Sequence, residues 1–288
     1  MTNNQDMALP TDVSAALRLA AEQLAPVSDT ARLDAELLMA HALHIERSQL
    51  LLDSRRYQVP DTFSALLARR MAHEPLAYIT GHRDFWTLRF AVGPGALIPR
   101  PDSETLMETM LDAIADKSAP LRVLDLGTGP GTLLLSALTE LPAATGLGVD
   151  ASEAALSYAR QNAADIGLES RVAFQTGYWG QGVDGPFDII LCNPPYIADN
   201  EVLMADVAEF EPASALFAGA DGLQDYRILM PQFDRLLSDM GIVILEIGYL
   251  QRQSVSALAE ENGFSAQCLS DLGGRDRVLL LRRDQNSL

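Results

Sequence analysis

Apolar and polar positions follow two regimes along the chain. In the first eighty residues they recur at helical spacing: Val13, Ala16, Leu17, Ala20 and Leu24 follow Thr11-Asp12, which reads as an N-cap. The same spacing predicts helices around 30–43, 46–53 and 61–73, the last opened by Pro60. Phe85, Trp86, Leu88, Phe90 and Val92, followed by Gly93-Pro94-Gly95, then predict a β-hairpin over 82–98 whose aromatics pack a core. From Asp102 a helix leads into short apolar runs near 121–126, 146–150, 171–175, 187–192 and 241–247, which read as strands of a parallel sheet. Runs near 264–270 and 277–283 read as an antiparallel edge. The pattern divides the chain into a helical domain (1–80), a hairpin connector (81–101) and an α/β domain (102–288), with no internal repeat or low-complexity segment.

Two turns carry candidate chemistry. The run Phe187 to Cys192 passes directly into Asn193-Pro194-Pro195-Tyr196, a rigid polar turn at the end of a buried strand. Its two prolines fix φ and remove N–H donors, so carbonyls can be aimed with little entropy left to lose. Such a turn suits methylation of a planar nitrogen, whose delocalised lone pair requires the NH2 to be held by acceptors. Asn193 Oδ1 and the Pro194 carbonyl can be those acceptors, and Tyr196 can cover the flat group. Pro-Pro also ends strands in ordinary loops, so this turn alone leaves both readings open.

The second turn is Gly127-Thr128-Gly129-Pro130-Gly131, between the strand Leu121–Leu126 and a helical stretch from Thr132 to about Glu140. Its glycines permit a sharp turn and close approach of backbone to ligand. The next strand ends in Asp150, an acidic residue placed to accept both ribose hydroxyls of a nucleoside cofactor. Dinucleotide enzymes share that pattern. Together with Asn193 to Tyr196 it favours S-adenosylmethionine, which needs no pyrophosphate cradle, and no second dinucleotide half follows.

Glu74 to Gly81, Leu97 to Glu104, the glycine loop, Asn193 to Tyr196, Leu245-Glu246-Ile247-Gly248 and Gly274-Arg275-Asp276-Arg277 together resemble the PrmC/HemK family. These are protein-glutamine N5-methyltransferases acting on class I peptide-chain release factors. The resemblance runs from about residue 10 to 283 and implies a Rossmann-like class I S-adenosylmethionine-dependent methyltransferase domain, with a mostly parallel seven-stranded sheet, behind a small N-terminal helical domain that docks substrate. It implies cofactor contacts by Gly127, Thr128, Gly129, Pro130, Gly131, Asp150, Trp179 and Asn193. Asn193, Pro194, Pro195 and Tyr196 would hold the substrate glutamine, with Asn193, Pro194 and Tyr196 as the catalytic set. Arg100-Pro101-Asp102 looks more like the release-factor enzymes than their ribosomal-protein relatives. Two positions depart from the family: Tyr178 stands where an aspartate commonly precedes the tryptophan, and Pro130 replaces a small polar residue.

Composition and charge narrow the picture further. A chain of 288 residues, 48% hydrophobic, can bury substantial cores. It has no uncharged apolar run of about 18 residues, and Met1 to Pro10 lack the basic and apolar segments of a signal peptide. Cys192 and Cys268 make no disulfide framework, and Cys192 reads as a small buried residue rather than a nucleophile. His41 and His44 have helical spacing without acidic or thiol partners, and His73 and His82 add no ligand set. A cytoplasmic, reduced, metal-free monomer is expected.

The net charge is −18, and residues 81–288 carry 14 basic against 29 acidic side chains. No Lys or Arg occurs between Arg171 and Arg227, where Asp184, Asp188, Asp199, Glu201, Asp206, Glu209, Glu211, Asp221 and Asp225 fall. Nucleic-acid binding needs cationic side chains to neutralise phosphates, so this window argues for a basic protein partner or a solvated loop. An amide is a poor nucleophile and no strong general base is visible, so positioning and acceptors should carry catalysis. Arg100 and Glu246 read as structural or near-site groups, and Asp125 as a brace for the glycine loop. A ribosomal-protein glutamine methyltransferase and a DNA or RNA amino-methyltransferase share the Asn193 turn.

Overall fold

The structure, a computed structural model, describes residues 10–284; the leader reading for Met1 to Pro10 falls almost wholly outside them. It contains two compact units: the chain up to Gly81 together with Met204–Phe210, and His82–Leu203 together with Glu211 onward. The 204–210 segment is the one element that joins the first unit from far along the sequence.

The first unit is helical: α1 (Val13–Leu24), α2 (Ala31–Leu43), α3 (Arg47–Leu52), α4 (Phe63–Met71) and α5 (Leu76–Thr80). Asp12 caps α1 by accepting from the Ala15 amide at 2.8 Å, and all five residues of the apolar stripe are buried. Removing such a stripe from water stabilises by about 1.5–3 kcal/mol for each large aliphatic side chain. Arg70 and Asp34 form a buried ion pair in this unit. Arg70 Nε donates to Asp34 Oδ2 at 2.8 Å, and the Ser28 and Thr30 hydroxyls donate to the remaining Asp34 lone pairs, so neither charge is buried alone. Gly81, at φ 79°, ends α5 in the left-handed conformation that glycine enters without strain.

The second unit begins with the hairpin β1 (His82–Phe85) and β2 (Leu88–Ala91), followed by α6 (Glu104–Ala113). The ladder stops at Ala91, short of the expected 98, because Asn162 takes over: it accepts from the Ala91 amide and donates to the Ala91 and Pro130 carbonyls. There follow β3 (Arg122–Leu126), α7 (Thr132–Glu140), β4 (Thr145–Asp150), α8 (Glu153–Ile166), β5 (Val172–Thr176) and β6 (Phe187–Cys192). The chain then forms α9 (Ala205–Phe210), α10 (Gln224–Leu236), β7 (Leu237–Glu246), α11 (Arg252–Glu261), β8 (Phe264–Ser270) and β9 (Asp276–Arg283).

The seven strands lie in the order β5-β4-β3-β6-β7-β9-β8. The last two strands form the expected antiparallel edge: β9 lies between β7 and β8, runs antiparallel to both, and leaves β8 outermost. Burial explains the placement: β9 is buried continuously from Arg277 to Leu281, whereas β8 alternates and suits an edge. Strand order reverses between β3 and β6, which opens the crevice at the carboxyl ends of the strands where open α/β sheets bind ligands. Leu126 pairs with Cys192 across that reversal, so the glycine loop and the Asn193 turn leave the sheet side by side.

Candidate active site

At the crevice lies a cavity of about 570 Å³, lined among others by Gly127, Thr128, Gly129, Pro130, Asp150, Trp179, Asn193 and Pro195. Gly131, Pro194 and Tyr196 are outside the lining. Gly131 instead caps α7 at φ 83°, and a Cβ there would come 2.9 Å from Leu135, so glycine is needed there for packing. Pro194 is buried behind the turn, and the Tyr196 hydroxyl donates to Glu246 at 3.2 Å instead of standing free over a ligand.

The cradle is built largely from backbone. Gly127 sits at φ 75°, and a Cβ on it would lie 3.0 Å from the Trp179 ring, so only glycine lets loop and indole meet. Asp125 is buried under the loop and accepts from Thr128 Oγ1 at 2.7 Å, the bracing expected of it; burial pushes its carboxyl up to about 7. Asp150 accepts from the Gly129 and Ser152 amides, each at 2.8 Å. Burial raises its pKa and these donors oppose the rise. A carboxylate has about four acceptor positions, so Asp150 retains capacity for ribose hydroxyls.

Trp179, at φ 51°, donates its Nε1 proton to Asp225 at 3.1 Å. Asp225 lines the cavity beside Gln224 at the start of α10. In the sequence Asp225 stands only among acidic loop residues, since no local pattern ties a helix start to a tryptophan 46 positions earlier. The acidic window is correspondingly less of a rim than expected. Glu211 is buried, bonded to Arg100 at 2.6 Å and to the Ile98 amide. Asp188 accepts from the Arg122 amide and Ser238, and Asp221 pairs with Arg227 at 2.6 Å. Asp184, Asp199, Glu201 and Glu209 remain exposed.

Asn193 donates its Nδ2 proton to Ser103 Oγ at 3.2 Å, which leaves Oδ1 as the acceptor of that side chain. Ser103 also lines the cavity, and nothing in its motif Leu97 to Glu104 marks the serine itself for a role. Cys192 is fully buried and its thiol is pushed up by burial, so it stays protonated. The four histidines line no part of the cavity, and among the described residues no group of three or more His, Cys, Asp or Glu is placed to hold a metal. No helix among them is long and apolar enough to cross a membrane.

The donor set fits S-adenosylmethionine. Asp125, Asp150 and Asp225 line the cavity against a single cation, Arg100, and a net acidic lining suits a sulfonium. The fold and this site define an S-adenosylmethionine-dependent methyltransferase, and a family model described as a methyltransferase domain matches residues 117–282. A methyltransferase from Pyrococcus furiosus shares the fold, with a TM-score of 0.52 at 18% identity over 77% of this chain and 98% of that one. Residues 15–81 match the model of the PrmC N-terminal domain. A release factor glutamine methyltransferase of Rhodospirillum rubrum is 43% identical, covering 88% of this chain and 79% of that protein. One from Cereibacter sphaeroides is 41% identical over 93% of this chain and 97% of its own length. The chain belongs to the release factor glutamine methyltransferase family.

Proposed function

We propose that this enzyme methylates the side-chain amide nitrogen of a glutamine in a class I peptide-chain release factor, and that the residues around the crevice divide the work. The observation that carries the assignment of roles is the Leu126–Cys192 pairing, which brings the cofactor loop and the Asn193 acceptor to one opening. The bound S-adenosylmethionine supplies an electrophilic methyl group. Gly127, Thr128, Gly129, Pro130, Asp150 and Trp179 hold it, with Asp150 on the ribose.

Asn193 Oδ1 and the Pro194 carbonyl accept from the glutamine NH2, orient its nitrogen and stabilise the positive charge that develops there as the new N–C bond forms. The spare N–H proton then passes to water, leaving a neutral N-methyl amide. Tyr196 acts from behind the turn rather than over the substrate. The helical unit serves as the docking surface for the protein substrate. The same reading has a monomer working in the cytoplasm on protein rather than nucleic acid, which the absence of Lys and Arg between Arg171 and Arg227 supports.

The test is competitive. The purified protein is incubated with methyl-labelled S-adenosylmethionine, a class I release factor, ribosomal proteins and nucleic acid together. Label should enter the release factor; label confined to ribosomal protein or nucleic acid would contradict the reading.

A further inference from the structure

Glu246, the last residue of β7, is completely buried and does not line the cavity, yet it is tied to the candidate catalytic turn at both ends, directly at Tyr196 and through Ser103 at Asn193. Its Oε2 accepts from Ser103 Oγ at 2.6 Å, and its Oε1 accepts from the Tyr196 hydroxyl at 3.2 Å. Ser103 has a single hydroxyl proton, and an ionised carboxylate can only accept, so that proton goes to Glu246. The serine oxygen therefore presents a lone pair to Asn193 and selects its NH2, 3.2 Å away. The amide is planar with two unlike ends, so fixing Nδ2 on Ser103 makes Oδ1 the end left for substrate.

Resting on the function proposed above, we infer that Glu246 is a positioning residue: through Ser103 it sets which atom of the Asn193 amide meets the glutamine NH2, and through Tyr196 it anchors the far end of the turn. Protonation would reverse the chain of donors. A neutral Glu246 can donate to Ser103 Oγ, freeing the serine proton for Asn193 Oδ1; the amide turns over, and its NH2 then opposes the substrate NH2, donor against donor.

The groups packed around Glu246 come from several elements. Asp102 and Ser103 precede α6, Cys192 ends β6, and Tyr196 follows it. Tyr226 on α10 donates to the Glu246 main-chain oxygen at 3.0 Å. Arg277 on β9 is bonded to Asp102 at 3.2 Å and Asp271 at 3.3 Å. Burial pushes the Glu246 carboxyl up to about 7, opposed by the Ser103 hydrogen bond and Arg277 and reinforced by Asp102. Since the ionised form is the one that orients Asn193, kcat should fall as pH drops through that value and level off above it.

The experiment compares Glu246→Gln, Ser103→Ala, Ser103→Thr and the double variant Ser103→Ala/Glu246→Gln with the wild type, on intact release factor at saturating S-adenosylmethionine. Glu246→Gln should lower kcat roughly tenfold or more and move KM less than about threefold. Its kcat should also lose the acid limb near neutrality. Ser103→Ala should lose activity and Ser103→Thr, which keeps the hydroxyl, should retain it. The double variant should be little worse than Glu246→Gln, because both changes break one chain.

A folded Glu246→Gln protein with wild-type kcat, an unchanged acid limb, or losses that add in full would overturn the inference. Should Glu246→Gln fail to fold, the Ser103 pair decides: equal activity of the alanine and threonine variants overturns it. Wild type run alongside separates the two levels. A wild type that leaves release factor unmodified removes the proposed function and this inference with it, whereas an active wild type with normal variants removes only the inference.

Discussion

The two sides of the crevice are built by different means. The cofactor side is mostly main chain from neighbouring stretches: the loop between β3 and α7, closed by a Gly129 to Asp150 bond spanning 21 positions. The acceptor side is held by side chains distant in sequence, with Asn193 and Ser103 90 positions apart and Ser103 and Glu246 143 apart. A backbone cradle accommodates side-chain change wherever φ and the N–H groups survive. A chain of donors and acceptors does not, since each member dictates the orientation of the next. The two departures from the family pattern, Pro130 and Tyr178, both fall on the cofactor side, as this contrast leads one to expect.

The largest effect should come from the acceptor side. Asn193→Ala removes an acceptor from the reacting NH2 while opening no large core cavity, so single-turnover methylation at saturating cofactor should slow by roughly 10²–10³-fold. A near-normal rate would end the division of roles. Next is Asp150, the charged side chain proposed to hold the ribose. Asp150→Ala should weaken S-adenosylmethionine binding by about 1.5–3 kcal/mol in calorimetry, as a charge-assisted acceptor is lost; unchanged affinity would remove Asp150 from the site.

Gly131→Ala should divide stability from binding. A Cβ 2.9 Å from Leu135 at φ 83° is both crowded and strained, so unfolding should become easier by about 1–3 kcal/mol. Cofactor affinity should be affected far less, and an opposite result would return Gly131 to the ligand-contact set. The smallest effect belongs to Pro130→Ala. The Pro130 carbonyl, bonded to Asn162 Nδ2 at 2.8 Å, persists in alanine, so affinity should change by less than about 1 kcal/mol. A larger loss in titration would show that the ring itself touches ligand.

The same contrast governs what the sequence made legible. Local features read directly: the helix after the glycine loop spans Thr132–Glu140, β6 spans Phe187–Cys192, and Asp12 caps α1. Where tertiary packing overrides local signals, reading failed. No element is predicted over 224–236, where α10 runs through Pro231 with Tyr226, Leu229, Met230, Phe233 and Leu236 buried. β7 starts at Leu237 rather than near 241, set by the pairing of Leu237 with Phe187 ahead of a register shift. Glu246 and Ser103 lay in conspicuous motifs, but no period or spacing joins residues on opposite sides of the sheet sequence. Their bond exists only once β7 is seated beside β6.

The central claim is that the Asn193 turn delivers a methyl group to a glutamine side-chain nitrogen. It is tested most directly by incubating wild-type enzyme with intact class I release factor and S-adenosylmethionine, then locating the modification by peptide fragmentation in the mass spectrometer. One added methyl group on the side-chain amide of one glutamine is predicted, and none when that glutamine is replaced. A methyl group on another residue type, or methylation that survives replacement of the glutamine, would contradict it.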